Sequence, residues 1–369
     1  MTYSRLNQGI LRDAIISLPA YQSGLSIDAV RQASGVEKVV KLDSNENPFG
    51  PSVRAVNAAQ AAALEAFRYP DRDETRLREV LAQLLDVKPE QFVFSGGSED
   101  VLAILYRIVI RPGDVVATVT PGFGLHAICA QICEAQVEVF KHKSNWCFPI
   151  EELIDCAQRG ARIIALSSPS NPIGAMLTLD EIDRLLSACG EQTLVIFDEA
   201  YIEFAGSTWT RAVLERLESH RGPWAVLRTF AKAYGLAGMR IGYGVVHDAE
   251  FAAAFAKTRS PFNVNAVALA SAESAVLDQE HMQTCVSKII QERERVGAEM
   301  AKLDFVSAPS QGNFLFVDVN QSSDAAADSL KADGVLVKPW REAGYETFIR
   351  ATIGLPEEND ALLGGLAKL

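Results

Sequence analysis

Paired cysteines, an excess of basic residues and long apolar runs are all missing from this chain. Its six cysteines, at positions 129, 133, 147, 156, 189 and 285, include no Cys-x-x-Cys spacing, and only five histidines accompany them. Cys129 and Cys133 can share one helical face, but no metal site is expected. The thiols read as free groups of a reducing, cytoplasmic compartment. Lys and Arg total 35 against 47 Asp and Glu, a net charge of −12. That balance argues against bulk binding to nucleic acid or to an anionic membrane, and leaves room for a local basic pocket around one small anion. No run of about 18 apolar residues occurs, so no membrane span is expected. The opening Met1-Thr2-Tyr3-Ser4-Arg5 leads into no apolar signal core, which speaks against export. No internal repeat or low-complexity tract stands out.

What remains is ordinary globular composition, with 48% hydrophobic and 22% charged residues among 369. At roughly 150 residues per domain, that length suggests two or three domains, or one large unit with an appendage. Between about Gln91 and Val246, short β-branched runs alternate with longer amphipathic stretches. Strands are predicted at 91–94, 115–120, 163–167, 194–198, 225–229 and 240–245. The stretch Thr178-Leu179-Asp180-Glu181 is a capping box ahead of the periodic Ile182, Leu185 and Leu186. Strands alternating with helices imply an α/β fold with a mostly parallel sheet covered on both faces. After Pro261 a helix is predicted over 266–303, then strands at 314–317, 335–337 and 348–352 and a terminal helix. The expected division is residues 1–42 as an N-terminal segment joining the small domain, 43–262 as the large domain, and 263–369 as a smaller α+β domain.

Four windows carry chemistry. In Arg228-Thr229-Phe230-Ala231-Lys232-Ala233-Tyr234-Gly235, continuing to Arg240, a lysine follows an apolar strand among small residues. A lysine that loses solvation there has a lowered pKa and is a nucleophile toward an aldehyde; Thr229 and Arg240 suit a phosphate monoester. The plainer alternative is a surface lysine near a turn. Asp198 ends the buried strand Val195-Ile196-Phe197-Asp198, where a carboxylate needs a cation such as a protonated pyridine nitrogen, unless it only caps a helix. Tyr201, three residues on, can hydrogen-bond a ring oxygen. Asn171, between Pro169 and Pro172, presents its amide in a fixed direction toward the same oxygen. Finally, Ser95-Gly96-Gly97-Ser98-Glu99 joins a strand to a helix. It is neither a Walker loop nor a Gly-x-Gly-x-x-Gly fingerprint, and is read either as a simple turn or as an anion cradle of backbone N–H groups. An amine, a carboxylate for a pyridinium, donors for a phenolate and a phosphate cradle together fit pyridoxal 5'-phosphate.

With these residues in hand, the chain resembles the fold-type I aminotransferases, and within them the histidinol-phosphate aminotransferase family. The resemblance runs from about Leu18 to Asn359. It rests on the lysine window, Leu42-Asp43-Ser44-Asn45-Glu46-Asn47-Pro48-Phe49-Gly50, Arg68-Tyr69-Pro70-Asp71, Gly312-Asn313-Phe314 and the stretch from Arg350 to Asn359. It implies a large domain with a mostly parallel seven-stranded sheet covered by helices, plus a smaller α+β domain. Lys232 would hold the cofactor covalently, Asp198 would pair with the pyridinium, and Asn171 and Tyr201 would contact the ring oxygen. Gly97, Ser98, Glu99, Thr229 and Arg240 would surround the phosphate, and Phe123, otherwise a core aromatic, would stack on the ring. Tyr69 would reach the phosphate of a neighbouring subunit's cofactor, making a homodimer necessary. Tyr21, Asn171, Lys338 and Arg350 would meet the substrate.

The implied reaction is transamination between histidinol phosphate and 2-oxoglutarate in histidine biosynthesis. An aromatic amino-acid aminotransferase and a threonine-phosphate decarboxylase stay open, as does a non-catalytic regulator, which would normally carry a fused DNA-binding module. Four positions depart from the family pattern: Ile173 replaces a threonine, Ala231 a serine, Lys338 an arginine, and His126 an aromatic residue. A lysine at 338 keeps the charge and loses the bidentate fork.

Overall fold

The computed structural model describes residues 9–18, 27–28, 31 and 38–369. In chain order its strands are β1 (Val40–Lys41), β2 (Phe92–Ser95), β3 (Val115–Thr120), β4 (Gln136–Lys141), β5 (Ile163–Ser167), β6 (Leu194–Asp198), β7 (Trp224–Thr229), β8 (Gly242–Val246), β9 (Val306–Ser307), β10 (Phe314–Asp318), β11 (Val335–Leu336), β12 (Lys338–Pro339) and β13 (Phe348–Thr352).

β2 to β8 form one seven-stranded sheet in the order β2-β8-β7-β6-β5-β3-β4, and β8 alone runs against the others. β5, β6 and β7 are apolar almost end to end because helices cover both faces of this sheet. The alternation is visible residue by residue: Leu194 and Ile196 join one apolar cluster, while Val195 and Phe197 join the other. Helices Ser98–Val109, Leu125–Ile132 and Ala249–Thr258 contribute to one layer, and Ile150–Gln158, Leu179–Ala188 and Ala212–Leu217 to the opposite one. The predicted capping box is formed: Glu181 N–H donates to Thr178 Oγ1 at 3.2 Å and Thr178 N–H to Glu181 Oε2 at 2.8 Å. Removing such a cap costs about 1 kcal/mol.

β9, β10, β13 and β12 build an antiparallel four-stranded sheet, and β1 pairs in parallel with β11, so residues 40–41 lie beside the C-terminal third of the chain. The helix expected over 266–303 is two helices, Ala266–Val276 and Gln279–Lys302. The break falls at Leu277-Asp278, where Asp278 leaves helical geometry and Arg54 Nη1 donates to the Leu277 carbonyl at 3.2 Å. The strand expected over 335–337 is likewise two short ones that serve different sheets. β4 was not predicted: it is an edge strand whose alternating Gln-Val-Glu-Val-Phe-Lys lies between two helical stretches. Among the described residues, no helix is long and apolar enough to cross a membrane.

Candidate active site

The loops that leave the carboxyl ends of β3, β5, β6 and β7 converge on a cavity of about 730 Å³, closed on its other side by residues from β12 and β13. Ligands sit at the carboxyl ends of strands in open α/β sheets because helix N-termini and short loops meet there. Asp198, Asn171, Lys232, Phe123, Thr229, Gly97, Ser98, Glu99, Arg240, Tyr201, Lys338 and Arg350 all line this one cavity. Tyr69 lies outside it, exposed and stacked on Phe262 with ring centroids 4.7 Å apart. Tyr21 lies outside the described residues.

Lys232 follows β7 in a tight loop, held by bonds from Ala231 N–H to Thr229 Oγ1 at 3.1 Å and from Leu236 N–H to the Phe230 carbonyl at 2.9 Å. Its Nζ donates to the Ser44 carbonyl at 3.0 Å and lies 5.8 Å from the centre of the Tyr201 ring. Burial, and after it the positive charge of Arg350, lower its pKa to about 8. The free amine is therefore accessible near neutral pH.

Asp198 is buried at the last position of β6. Its Oδ1 accepts from Ala200 N–H at 3.2 Å, so the cap-like contact exists, while Oδ2 faces His126 Nε2 at 3.5 Å. It forms no ion pair with a Lys or Arg among the described residues. His126 Nδ1 is 3.4 Å from Thr118 Oγ1, and the ring meets Phe123 edge-on at 5.6 Å. Ser167, one strand over, also lines the cavity, and its buried hydroxyl has no hydrogen-bond partner among the described residues. Behind this face, Arg228 Nε and Nη2 donate to Glu199 Oε2 at 2.9 and 2.7 Å, both residues almost fully buried.

The turn from β2 into the helix Ser98–Val109 is built by close backbone approach. Gly97 precedes the helix Ser98–Val109 with φ +111, a region L-residues avoid, and a Cβ there would lie 2.9 Å from Arg240 Nη2. Across the turn, a Cβ on Gly242 of β8 would sit 2.3 Å from the Ser98 nitrogen, so only glycine lets the helix start rest on the sheet. Ser98 and Glu99 begin the helix with backbone N–H groups free of intrahelical partners. Arg240 Nη2 reaches the Gly96 carbonyl at 3.3 Å and Glu99 at 3.7 Å.

At the opposite end of the cavity, Arg350 Nη1 donates to Asn171 Oδ1 at 2.6 Å and Nη2 to the Asp43 carbonyl at 2.7 Å. Lys338 lies directly opposite Arg350 in the β12–β13 register, and burial together with that neighbouring charge lowers its pKa. Ile173 is fully buried against Ala308 and Phe316, which accounts for an apolar side chain at that position.

The sequence windows carried no roles for Ser44, Asn45 and Glu342. Asn45 Nδ2 donates to Tyr201 Oη at 3.0 Å, its N–H donates to Thr352 Oγ1 at 2.9 Å, and Asn313 Nδ2 donates to its carbonyl at 3.1 Å. Its φ of +54, which asparagine tolerates better than most residues, is the one local signal available. Glu342 receives a hydrogen bond from Thr120, 222 residues away, and no local pattern announces such a contact.

Comparison with known proteins adds to this geometry. The family described as aminotransferase class I and II matches residues 37–366. The chain is 38% identical to histidinol-phosphate aminotransferase 1 of Mesorhizobium japonicum over 98% of both chains. It is also 38% identical to histidinol-phosphate aminotransferase 3 of Rhizobium meliloti over 97% of both. Among solved structures, histidinol-phosphate aminotransferase from Sinorhizobium meliloti in complex with pyridoxal-5'-phosphate superposes with a TM-score of 0.89 at 27% identity, covering 100% of this chain and 98% of that one. A Thermus thermophilus aspartate aminotransferase mutant, at 21% identity and a TM-score of 0.82, shares the fold.

Proposed function

The chain belongs to the class I and II aminotransferases, and from that we propose that it binds pyridoxal 5'-phosphate and transfers an amino group from histidinol phosphate to 2-oxoglutarate. The observation that carries the reading is that a buried lysine, its pKa lowered, lines the same cavity as a buried aspartate that pairs with no Lys or Arg among the described residues. The names of the relatives support the donor; the acceptor is our assignment.

The residues fit the cofactor. Asp198 supplies the anion that a protonated pyridine nitrogen requires, and the Ser167 hydroxyl and the helix start at Ser98 offer polar groups to the ring and the phosphate. In this assignment Lys232 is the covalent attachment point, and Asn171 and Tyr201 hold the ring oxygen. Gly97, Ser98, Glu99, Thr229 and Arg240 form the phosphate cradle, and Phe123 covers the ring. When bound, the cofactor supplies an aldehyde for the donor amine and an electron-accepting ring. Lys232 Nζ takes the proton from the donor's α-carbon and delivers it back within the site, a role worth about 10²- to 10⁴-fold in rate. Asp198 keeps the ring nitrogen protonated, with His126 Nε2 3.5 Å from its carboxylate. Arg350 and Lys338 face the donor's anionic end.

The division at about residues 42 and 262 belongs to the same proposal, supported by the separate sheets of 92–246 and 306–352. So does a homodimer in which Tyr69 crosses to the partner's site. In support, Leu64, Phe67 and Tyr69 are 74–82% exposed along one stretch of chain.

Half-reactions of the pyridoxal-phosphate-loaded protein test the substrate. Histidinol phosphate, phenylalanine and threonine phosphate are added separately and the visible absorbance is followed. Histidinol phosphate is expected to discharge the band fastest. Faster reaction with phenylalanine transfers the assignment to an aromatic amino-acid aminotransferase, and release of carbon dioxide from threonine phosphate to a decarboxylase.

A further inference from the structure

The turn that leaves β3 carries Phe123 into the cavity, and the group that holds this turn comes from the far end of the chain. Thr120 Oγ1 donates to Glu342 Oε2, and the backbone N–H of Gly122 acts on the same carboxylate. The turn has little slack: a Cβ on Gly122 would lie 2.3 Å from the Val119 carbonyl oxygen.

The loop that delivers Glu342 is fixed at each step. Lys338 and Pro339 pair with Arg350 and Ile349. Trp340 N–H donates to the Phe348 carbonyl at 2.9 Å, and its own carbonyl accepts from Ser323 Oγ at 2.8 Å. Arg341 forks onto Asp324 with its shortest contact at 2.7 Å. Glu342 therefore arrives at the cavity rim on a strap with few free torsions. It is partly buried, and burial raises its pKa while the Thr120 bond acts in the opposite direction. It makes no ion pair among the described residues. A carboxylate desolvated at a cavity rim without a cation is costly unless its acceptor atoms are used, and here Thr120 and Gly122 of the turn act on it, with the Trp340 side chain acting on it as well.

We propose that Glu342 is a positioning residue that holds the Phe123 turn, and with it the Phe123 ring, against the bound cofactor. The proposal rests on the reading that this cavity takes pyridoxal phosphate. It makes the 338–342 strap serve two ends of the site: Lys338 at the substrate end and Glu342 at the ring-covering end.

The test is equilibrium binding of pyridoxal phosphate to the apo chain, with visible circular dichroism of the bound cofactor and the melting temperature of the apo chain. It is run on the parent, Glu342→Ala, Glu342→Gln, Thr120→Val and the Thr120→Val/Glu342→Ala double variant. Loss of a hydrogen bond to a charged group predicts about a tenfold weaker cofactor affinity for Glu342→Ala and for Thr120→Val, with an altered dichroic band. Glu342→Gln, which keeps an acceptor oxygen, restores most of the affinity. The double variant is no weaker than the weaker single, since both remove the same contact. Parent-like affinity and dichroism in Glu342→Ala, or fully additive losses in the double, overturn the proposal. Should Glu342→Ala fail to fold, Thr120→Val alone decides between the same two results. A parent chain that takes up no pyridoxal phosphate fails the functional reading instead, and the two failures are told apart on the parent sample.

Discussion

At the scale of single residues, buried charges at and behind the site are treated in two opposite ways. Among the described residues Lys232 has no carboxylate partner at hydrogen-bond distance, and burial first and Arg350 second bring its pKa down to about 8. A lysine in the unfolded chain titrates near 10.4. The folded chain therefore gives up this proton more readily, and Lys232 adds to stability as pH climbs from about 8 toward the unfolded value. Competitive labelling of the apo protein with an amine-reactive reagent is expected to show Lys232 reaching half-maximal reactivity near pH 8. A profile that rises only near pH 10, with the surface lysines, contradicts this. Arg228 and Glu199 show the other treatment, a buried pair satisfied internally. Arg228→Met strands the Glu199 carboxylate and is expected to cost about 3–5 kcal/mol in urea unfolding. The Arg228→Met/Glu199→Met double variant recovers most of that loss, and equal losses in the two variants would refute the assignment. The placement of Lys232, Asp198 and Asn171 at one cavity was legible in the sequence because each sits in a local pattern, an apolar strand followed by a turn. The His126–Asp198 contact and the Thr120–Glu342 bond join residues 72 and 222 positions apart, and side-chain contacts at that range leave no periodic trace.

At the scale of elements, the proposed phosphate position depends on the junction between β2 and the helix Ser98–Val109. Gly97 and Gly242 hold the helix start, the sheet and Arg240 within contact distance. Gly97→Ala places a side chain at φ +111 and against the Arg240 guanidinium, so about 1–3 kcal/mol of backbone strain and a displaced cation are expected. Fluorescence titration is predicted to give at least tenfold weaker binding of pyridoxal phosphate, with a smaller change for unphosphorylated pyridoxal. Equal losses for the two ligands would place the effect elsewhere. Strand positions were legible where parallel strands are buried on both faces, as in β5 and β6, since only apolar runs survive there. The edge strand β4 and the break at Leu277-Asp278 were not. An edge strand tolerates polar residues on its open side, and the break is stabilised by Arg54, which lies more than 200 residues upstream.

At the scale of the whole molecule, the exposed apolar stretch from Leu64 to Tyr69, next to Phe262, is unusual for a lone chain of net charge −12. Sedimentation equilibrium is expected to give a dimer, and Phe67→Glu a monomer with a sharp loss of turnover. A parent protein that stays monomeric and fully active would remove Tyr69 from the site. The fold class was readable because strand and helix periods alternate over the central half of the chain, whereas the attachment of residues 40–41 beside β11 rests on a two-residue pairing too short to leave a pattern.

The central claim is that one amine, on Lys232, holds the cofactor. Borohydride reduction of the pyridoxal-phosphate-loaded protein, followed by digestion and mass spectrometry, tests it directly. A single phosphopyridoxyl mass addition is expected on the peptide containing Lys232, abolished in Lys232→Ala. A stable addition mapped to any other lysine, or no addition to protein saturated with the cofactor, would contradict it.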